Sequence, residues 1–338
     1  MQENKAGKAL AGMNLAELEK IPLTLELAQK IVAGIQHNLY GEQPFNSWEP
    51  FHEPINTLRA DGKRVVTEVR YGHDYMNSYL DITYPDHSGR KRPTVIYTHG
   101  GGYFGGNKAM GDPMAVGDPG AYLFDRIVEH GYNFVNVDYV LVPEGMFPIP
   151  LIQLTQAVDF LSEHAGEYDL DMNHIVIMGS SAGAILTAQY GSLLANEEYR
   201  ELLHIKPKIN PDSVRCLIVD DGPFIPDLFN WGIRVMLGAY CGTVDTSDPE
   251  LQRVNAMAYY NKNVAPSFFD AGTIDGFPDG MRLCSERLTE LGVENELYLP
   301  PDPQPHGFVN QAKDNPSAAE CFAKMLAFMD KHTKGGAP

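Results

Sequence analysis

The chain has 338 residues, 43% of them hydrophobic, enough for two small domains or one large α/β domain with a sizeable core. Its formal net charge of −18, from 44 Asp and Glu against 26 Lys and Arg, argues against nucleic acid and anionic membranes as partners. No apolar run approaches the ~20 residues of a membrane helix. The four cysteines form no Cys-x-x-Cys, which argues against a zinc or dithiol motif and reads as buried or free thiols in a reducing compartment. Met1-Gln2-Glu3-Asn4-Lys5 opens no apolar leader, so a cytoplasmic location is expected.

Residues 1 to about 60 show no strand alternation. Within them, 15–40 carries helical spacing through Leu18, Ile21, Leu25, Ile31, Ile35 and Leu39. This region reads as a helical arm or lid. Strands are expected at 64–71, 78–84 and 93–98, then at 134–140 after a helix at 122–130. A helix at 152–164 leads to a β-branched apolar strand ending near Ser180, and a small-residue helix follows at 182–194. A buried strand is expected at 214–219. Residues 222–263 offer helices but no clean strand, and read as a second lid segment. Short strands at 267–271 and 296–299 flank a helix at 280–291, and a helix at 318–332 closes the chain. This alternation predicts a mostly parallel sheet covered on both faces, in one catalytic domain with a cap.

The chemistry concentrates at Gly179-Ser180-Ser181-Ala182-Gly183, a Gly-x-Ser-x-Gly set between strand and helix. A sharp turn there holds a serine hydroxyl clear of the backbone, and glycines two residues either side avoid collisions with strand and helix. A serine needs a base to take its proton and a third group to orient that base. Of eleven histidines, His306 lies in a Pro-rich loop after the last strand, where it reaches the carboxyl edge of the sheet. Asp275, a few residues after the preceding strand, is the expected acid. Asp279 is the nearest rival but suits a helix start, and Asp270 is expected to point away. His99-Gly100-Gly101-Gly102 supplies flexible backbone from which N–H groups converge. The N–H groups of Gly101, Gly102 and Ala182 are assigned to a developing oxyanion. Gly100 to Gly105 also satisfies G-x-G-x-x-G, the dinucleotide fingerprint. It is followed by Gly, Pro and Asp rather than by a helix, and an acidic residue about 20 positions on would fall inside the 122–130 helix.

In these residues the chain resembles the hormone-sensitive-lipase-like branch of the α/β-hydrolases. The matches are His99-Gly100-Gly101-Gly102, the elbow around Ser181, His306-Gly307-Phe308, and Tyr139-Val140-Leu141-Val142-Pro143-Glu144, similar to Tyr-Arg-Leu-x-Pro-Glu. The order Ser181, Asp275, His306 is that fold's order. The resemblance implies hydrolysis of short-chain carboxylic esters without cofactor or metal, under a helical cap formed here by 1–60 and 222–263. It also implies a homodimer. Two residues depart from the family pattern: Ser180 stands where Asp or Thr is usual, and Val140 where Arg is usual. Tyr103, Phe104, Trp231 and residues 224–228 are candidate pocket walls. The expected substrates are small acyl esters, acetylated carbohydrates or aryl esters among them. The competing readings are a ligand-binding protein on a hydrolase scaffold and an amidase or peptidase on the same fold.

Overall fold

The computed structural model describes residues 20–109, 121–222, 225–273 and 277–335. Among these, nine strands form one sheet in the order β1-β2-β3-β5-β4-β6-β7-β8-β9. β1 (Asn56–Leu58), β2 (Arg64–Arg70) and β3 (Tyr79–Tyr84) make an antiparallel edge that pairs with β5 (Asn133–Val137). From β5 onward the sheet is parallel: β4 (Pro93–Thr98), β6 (Asp171–Ser180), β7 (Val214–Asp220), β8 (Ser267–Asp270) and β9 (Asn295–Tyr298). The helices are α1 (Leu25–Tyr40), α2 (Ala121–Glu129), α3 (Ile149–Glu163), α4 (Ala182–Ala195), α5 (Glu197–Leu203), α6 (Trp231–Cys241), α7 (Pro249–Gln252), α8 (Pro278–Glu290) and α9 (Pro316–Thr333).

The central strands are apolar at consecutive positions because both faces are covered. Ile96, Ile175, Ile177, Leu217, Val219 and Phe269 share one core with α3, α4 and α8. The alternate residues Val95, Tyr97, Val176, Met178, Ile218 and Phe268 share another with α2 and α9. Parallel crossovers bring the carboxyl ends of β4, β6, β7 and β8 together at one edge, where an open α/β sheet receives its ligands.

The expected strands and helices are present to within a few residues. Differences fall at the margins. The first described helix begins at Leu25, where the Thr24 side chain accepts the Leu27 N–H at 3.2 Å; residues 20–24 of the expected 15–40 helix are not helical, and 15–19 lie outside the described residues. A three-residue exposed strand, Asn56–Leu58, lies within the stretch read as lacking strands. It is held by its ladder to β2 rather than by an apolar face. Within 222–263, α6 packs on α1, and the Trp231 Nε1–H donates to the Ile21 carbonyl at 3.2 Å. No helix among the described residues is long and apolar enough to cross a membrane.

Candidate active site

Ser181 sits between β6 and α4 at φ 55°, ψ −114°, a left-handed conformation that a non-glycine residue adopts only when its surroundings impose it. Those surroundings are tight. A Cβ on Gly179 would stand 2.2 Å from the Gly183 carbonyl oxygen, and one on Gly183 would stand 2.0 Å from the Thr98 carbonyl oxygen. The Ser181 N–H donates to the Asp220 carbonyl at 2.8 Å, which ties the turn to the end of β7. Ala182 opens α4, so its N–H has no partner within the helix. α4 is buried on every side through Leu193, which accounts for its small, apolar sequence.

The glycine segment makes a second tight turn beside the first. Gly101, Gly102 and Tyr103 have φ of 100°, 61° and 65°. The Gly101 carbonyl accepts the N–H groups of Phe104 at 3.1 Å and Gly105 at 2.9 Å, so the segment closes on itself. The Tyr103 hydroxyl donates to the Ala182 carbonyl at 3.0 Å, joining the two sources of backbone donors. Its ring stacks on Tyr240 of α6 at 3.6 Å. Tyr103 and Phe104, candidate pocket walls from sequence, are instead core residues at 0% and 1% exposure. Trp231 is buried too. In the 224–228 stretch, Phe224 lies outside the described residues and Leu228 is exposed.

His99 supports this turn. Its Nδ1 bonds the Gly100 carbonyl at 2.7 Å, its ring stacks on Tyr139 at 4.2 Å, and Nε2 faces the Asp138 carboxylate at 3.3 Å. Asp138 also accepts the Lys108 N–H, and the Lys108 ammonium donates to Glu68 at 2.6 Å and to Asp81 at 3.3 Å. The exit of the glycine loop is thereby anchored in a buried charge group.

His306 lies on the loop after β9, next to Gly307 at φ 65°. Its Nδ1 stands 3.2 Å from Oδ2 of Asp221, a fully buried carboxylate that also accepts the Gly307 N–H at 2.7 Å. The Phe277 ring meets the imidazole edge-on at 5.1 Å. Asp221 directly follows Asp220, the residue bonded to the Ser181 N–H, so the serine turn and the histidine loop meet at the end of β7. Other histidines are engaged elsewhere: His130 with Asp330, His164 with Glu167, His174 with Asp171.

Asp275 lies outside the described residues. The described residues just before it press against the histidine loop. A Cβ on Gly272 would stand 2.2 Å from the Pro305 carbonyl oxygen, and the Gln304 N–H donates to Thr273 at 3.0 Å. Asp279 is in the first turn of α8, where a carboxylate complements the exposed N–H groups. Asp270 ends β8 and pairs in register with Asp220 rather than with the histidine loop. Asp221 was not singled out from sequence. The available signal was an acid placed immediately after a buried strand at the carboxyl edge.

These geometries resemble those of known proteins. The family model described as BD-FAE matches residues 80–277, more than half of the chain. The chain is 29% identical over 245 residues to carboxylesterase NlhH of Mycobacterium tuberculosis, covering 71% of this chain and 73% of that one. Esterase B from Lactobacillus Rhamnosis superposes with a TM-score of 0.66 at 18% identity, over 99% of this chain and 98% of that one. An esterase of the bacterial hormone-sensitive lipase family superposes at 0.61 and 18% identity, over 98% and 100%.

Proposed function

We propose, given that the chain belongs to the BD-FAE family of α/β-hydrolases and is a carboxylic ester hydrolase, that it cleaves short-chain acyl esters through Ser181, His306 and Asp275. The single observation that carries this reading is the left-handed turn at Ser181, with its helix start tied to the glycine turn by the Tyr103 hydroxyl. In this reading the N–H groups of Gly101, Gly102 and Ala182 act as the oxyanion donors, and the Tyr103 hydroxyl bond between the glycine turn and the start of α4 supports it.

In this mechanism His306 takes the Ser181 proton as the oxygen attacks the ester carbonyl. The three N–H groups hold the oxyanion in a dry site, where each fixed donor is worth more than in water. His306 then protonates the leaving alcohol. Water repeats the sequence on the acyl-enzyme, and no cofactor takes part. Asp275 is assigned the triad's acid role, which is to hold the imidazole in the tautomer that accepts at Nε2.

The glycine turn is tightly packed. A Cβ on Gly102 would stand 2.5 Å from the Phe104 ring and 3.0 Å from the Met236 sulfur of α6. In this reading the arm and the 222–263 insertion act as a cap, supported by the packing of α6 on α1. A cavity of about 320 Å3 between the arm and the exit of the glycine loop is lined by Tyr40, Phe45, Phe51, His52 and Asn107.

A p-nitrophenyl ester series from acetate to palmitate tests the reading. Turnover is expected to fall with chain length. Ser181→Ala should lower kcat by at least about a thousandfold, since a serine triad acts as a unit. A fluorophosphonate probe should label Ser181 covalently, which a non-catalytic binding protein would not do. Wild-type turnover by Ser181→Ala overturns the assignment.

A further inference from the structure

We infer that Asp221 is a positioning residue for His306, the ionised member of a buried group of three carboxylates whose other two, Asp220 and Asp270, face each other across β7 and β8. The inference rests on the Ser181–His306 reading and adds to it a carboxylate that sequence reasoning did not single out.

Asp220, Asp221 and Asp270 are 2%, 0% and 0% exposed. Three adjacent carboxylates at that depth do not all carry charge, because burial and mutual repulsion both disfavour the ionised form. Local geometry decides which one does. Asp220 and Asp270 are register partners in neighbouring strands, as are Ser180 and Asp220, so all three side chains line one face in a row. Burial first, then the neighbouring acid, raises both Asp220 and Asp270 above the usual carboxylate range. A single proton held between them removes the repulsion.

Asp221 leaves that row. Its φ of 57° turns the chain, its N–H donates to the Asp270 carbonyl at 3.0 Å, and its carboxylate swings to the histidine loop. There it meets a backbone donor at 2.7 Å and the imidazole Nδ1 at 3.2 Å. Donors around a carboxylate favour its charged form. A charged Asp221 at this distance favours the protonated imidazole and so raises the proton affinity of the ring. The other titratable groups facing this assembly are Cys321, from α9, whose thiol burial pushes up, and Asp220 and Asp270 themselves. Asp275 lies outside the described residues.

The test is the pH profile of kcat/KM on p-nitrophenyl acetate. Asp221→Asn is expected to move the acidic limb down by about one pH unit, the size of effect an opposite charge at this distance exerts. It should also lower kcat by about tenfold or more with KM little changed, because misorienting the base weakens only the transition state. A residue that merely stabilises the fold would leave the limb in place. Asp221→Glu, which keeps the charge, should return the limb to its wild-type position. If Asp221→Asn does not fold, Asp221→Ser is read instead, since its hydroxyl still accepts the Gly307 N–H. An unmoved limb in the charge-removing variants, with Ser181→Ala inactive, overturns the inference. Activity in Ser181→Ala overturns the underlying reading instead.

Discussion

Glycine carries the geometry of the elbow. Gly183 stands where any side chain meets the Thr98 carbonyl at 2.0 Å and the His99 carbonyl at 2.9 Å. Backbone oxygens at that distance cannot swing aside, so the strand end must move. Gly183→Ala is therefore expected to destabilise the protein by several kcal/mol, in the range of severe overpacking. The same replacement at exposed Gly166, where nothing lies within 4 Å of the added Cβ, should be nearly neutral. Urea denaturation of the two variants checks the contrast. The two departures from the family pattern also have local accounts. Val140 is buried, and its N–H donates to Gln153 Oε1 at 2.9 Å, while Gln153 Nε2 reaches the Met76 carbonyl at 2.8 Å. A neutral glutamine thus holds this segment where the family pattern has a cation. Ser180 joins the row with Asp220 and Asp270, so a third acid at that position would add to an already crowded set of carboxylates.

At the level of elements, the arm holds the glycine loop. Gln36, buried on α1, donates to the Phe104 carbonyl at 3.1 Å and to the Val142 carbonyl at 2.7 Å. One side chain therefore clamps the glycine turn to the segment after β5. Gln36→Leu keeps the bulk but leaves two buried carbonyls unsatisfied, at a cost of about 1–3 kcal/mol each. The melting temperature should fall, and kcat on p-nitrophenyl acetate should fall with it because the turn loses its brace. A lowered melting temperature with unchanged kcat would show that the turn is braced by His99 and Lys108 alone. The periodicity of this helix is legible in sequence. Its partner is not, because the loop it clamps begins 63 residues away at His99, counted from Gln36, and carries no complementary pattern.

For the molecule as a whole, the buried acids make stability depend on pH in an unusual direction. Asp220 is pushed up to about 6 by burial and by Asp221, and Asp270 is raised with it. Between about pH 4 and 6 the folded chain holds a proton that the unfolded chain has already released. The pair's contribution is full below the unfolded value and is lost as pH rises through about 6. Asp270→Asn replaces the shared proton by a permanent amide donor to Asp220. The variant's melting temperature relative to wild type should therefore improve from pH 5 to pH 8. A difference that stays constant across that range would show that the pair does not share a proton.

Much of this protein is readable from its chain because the signals are local. The β-branched runs, the glycines around Ser181, the glycine run at His99 and the Pro-rich loop at His306 each reflect what neighbouring residues impose on the backbone. The mostly parallel sheet follows from the alternation of strands and helices, whereas the strand order comes from the structure. What only the tertiary structure decided is which side chains meet. Asp220 and Asp221 are adjacent and identical in type, yet one faces Asp270 across the sheet and the other faces His306. A single left-handed residue at the end of β7 separates their directions, and its effect depends on loops 50 and 85 residues further along the chain, at Ala271 and His306. Tyr103 and Phe104 make the same point. Their aromatic character suits a pocket or a core equally, and only the packing of α6 and α1 over the glycine turn places them inside.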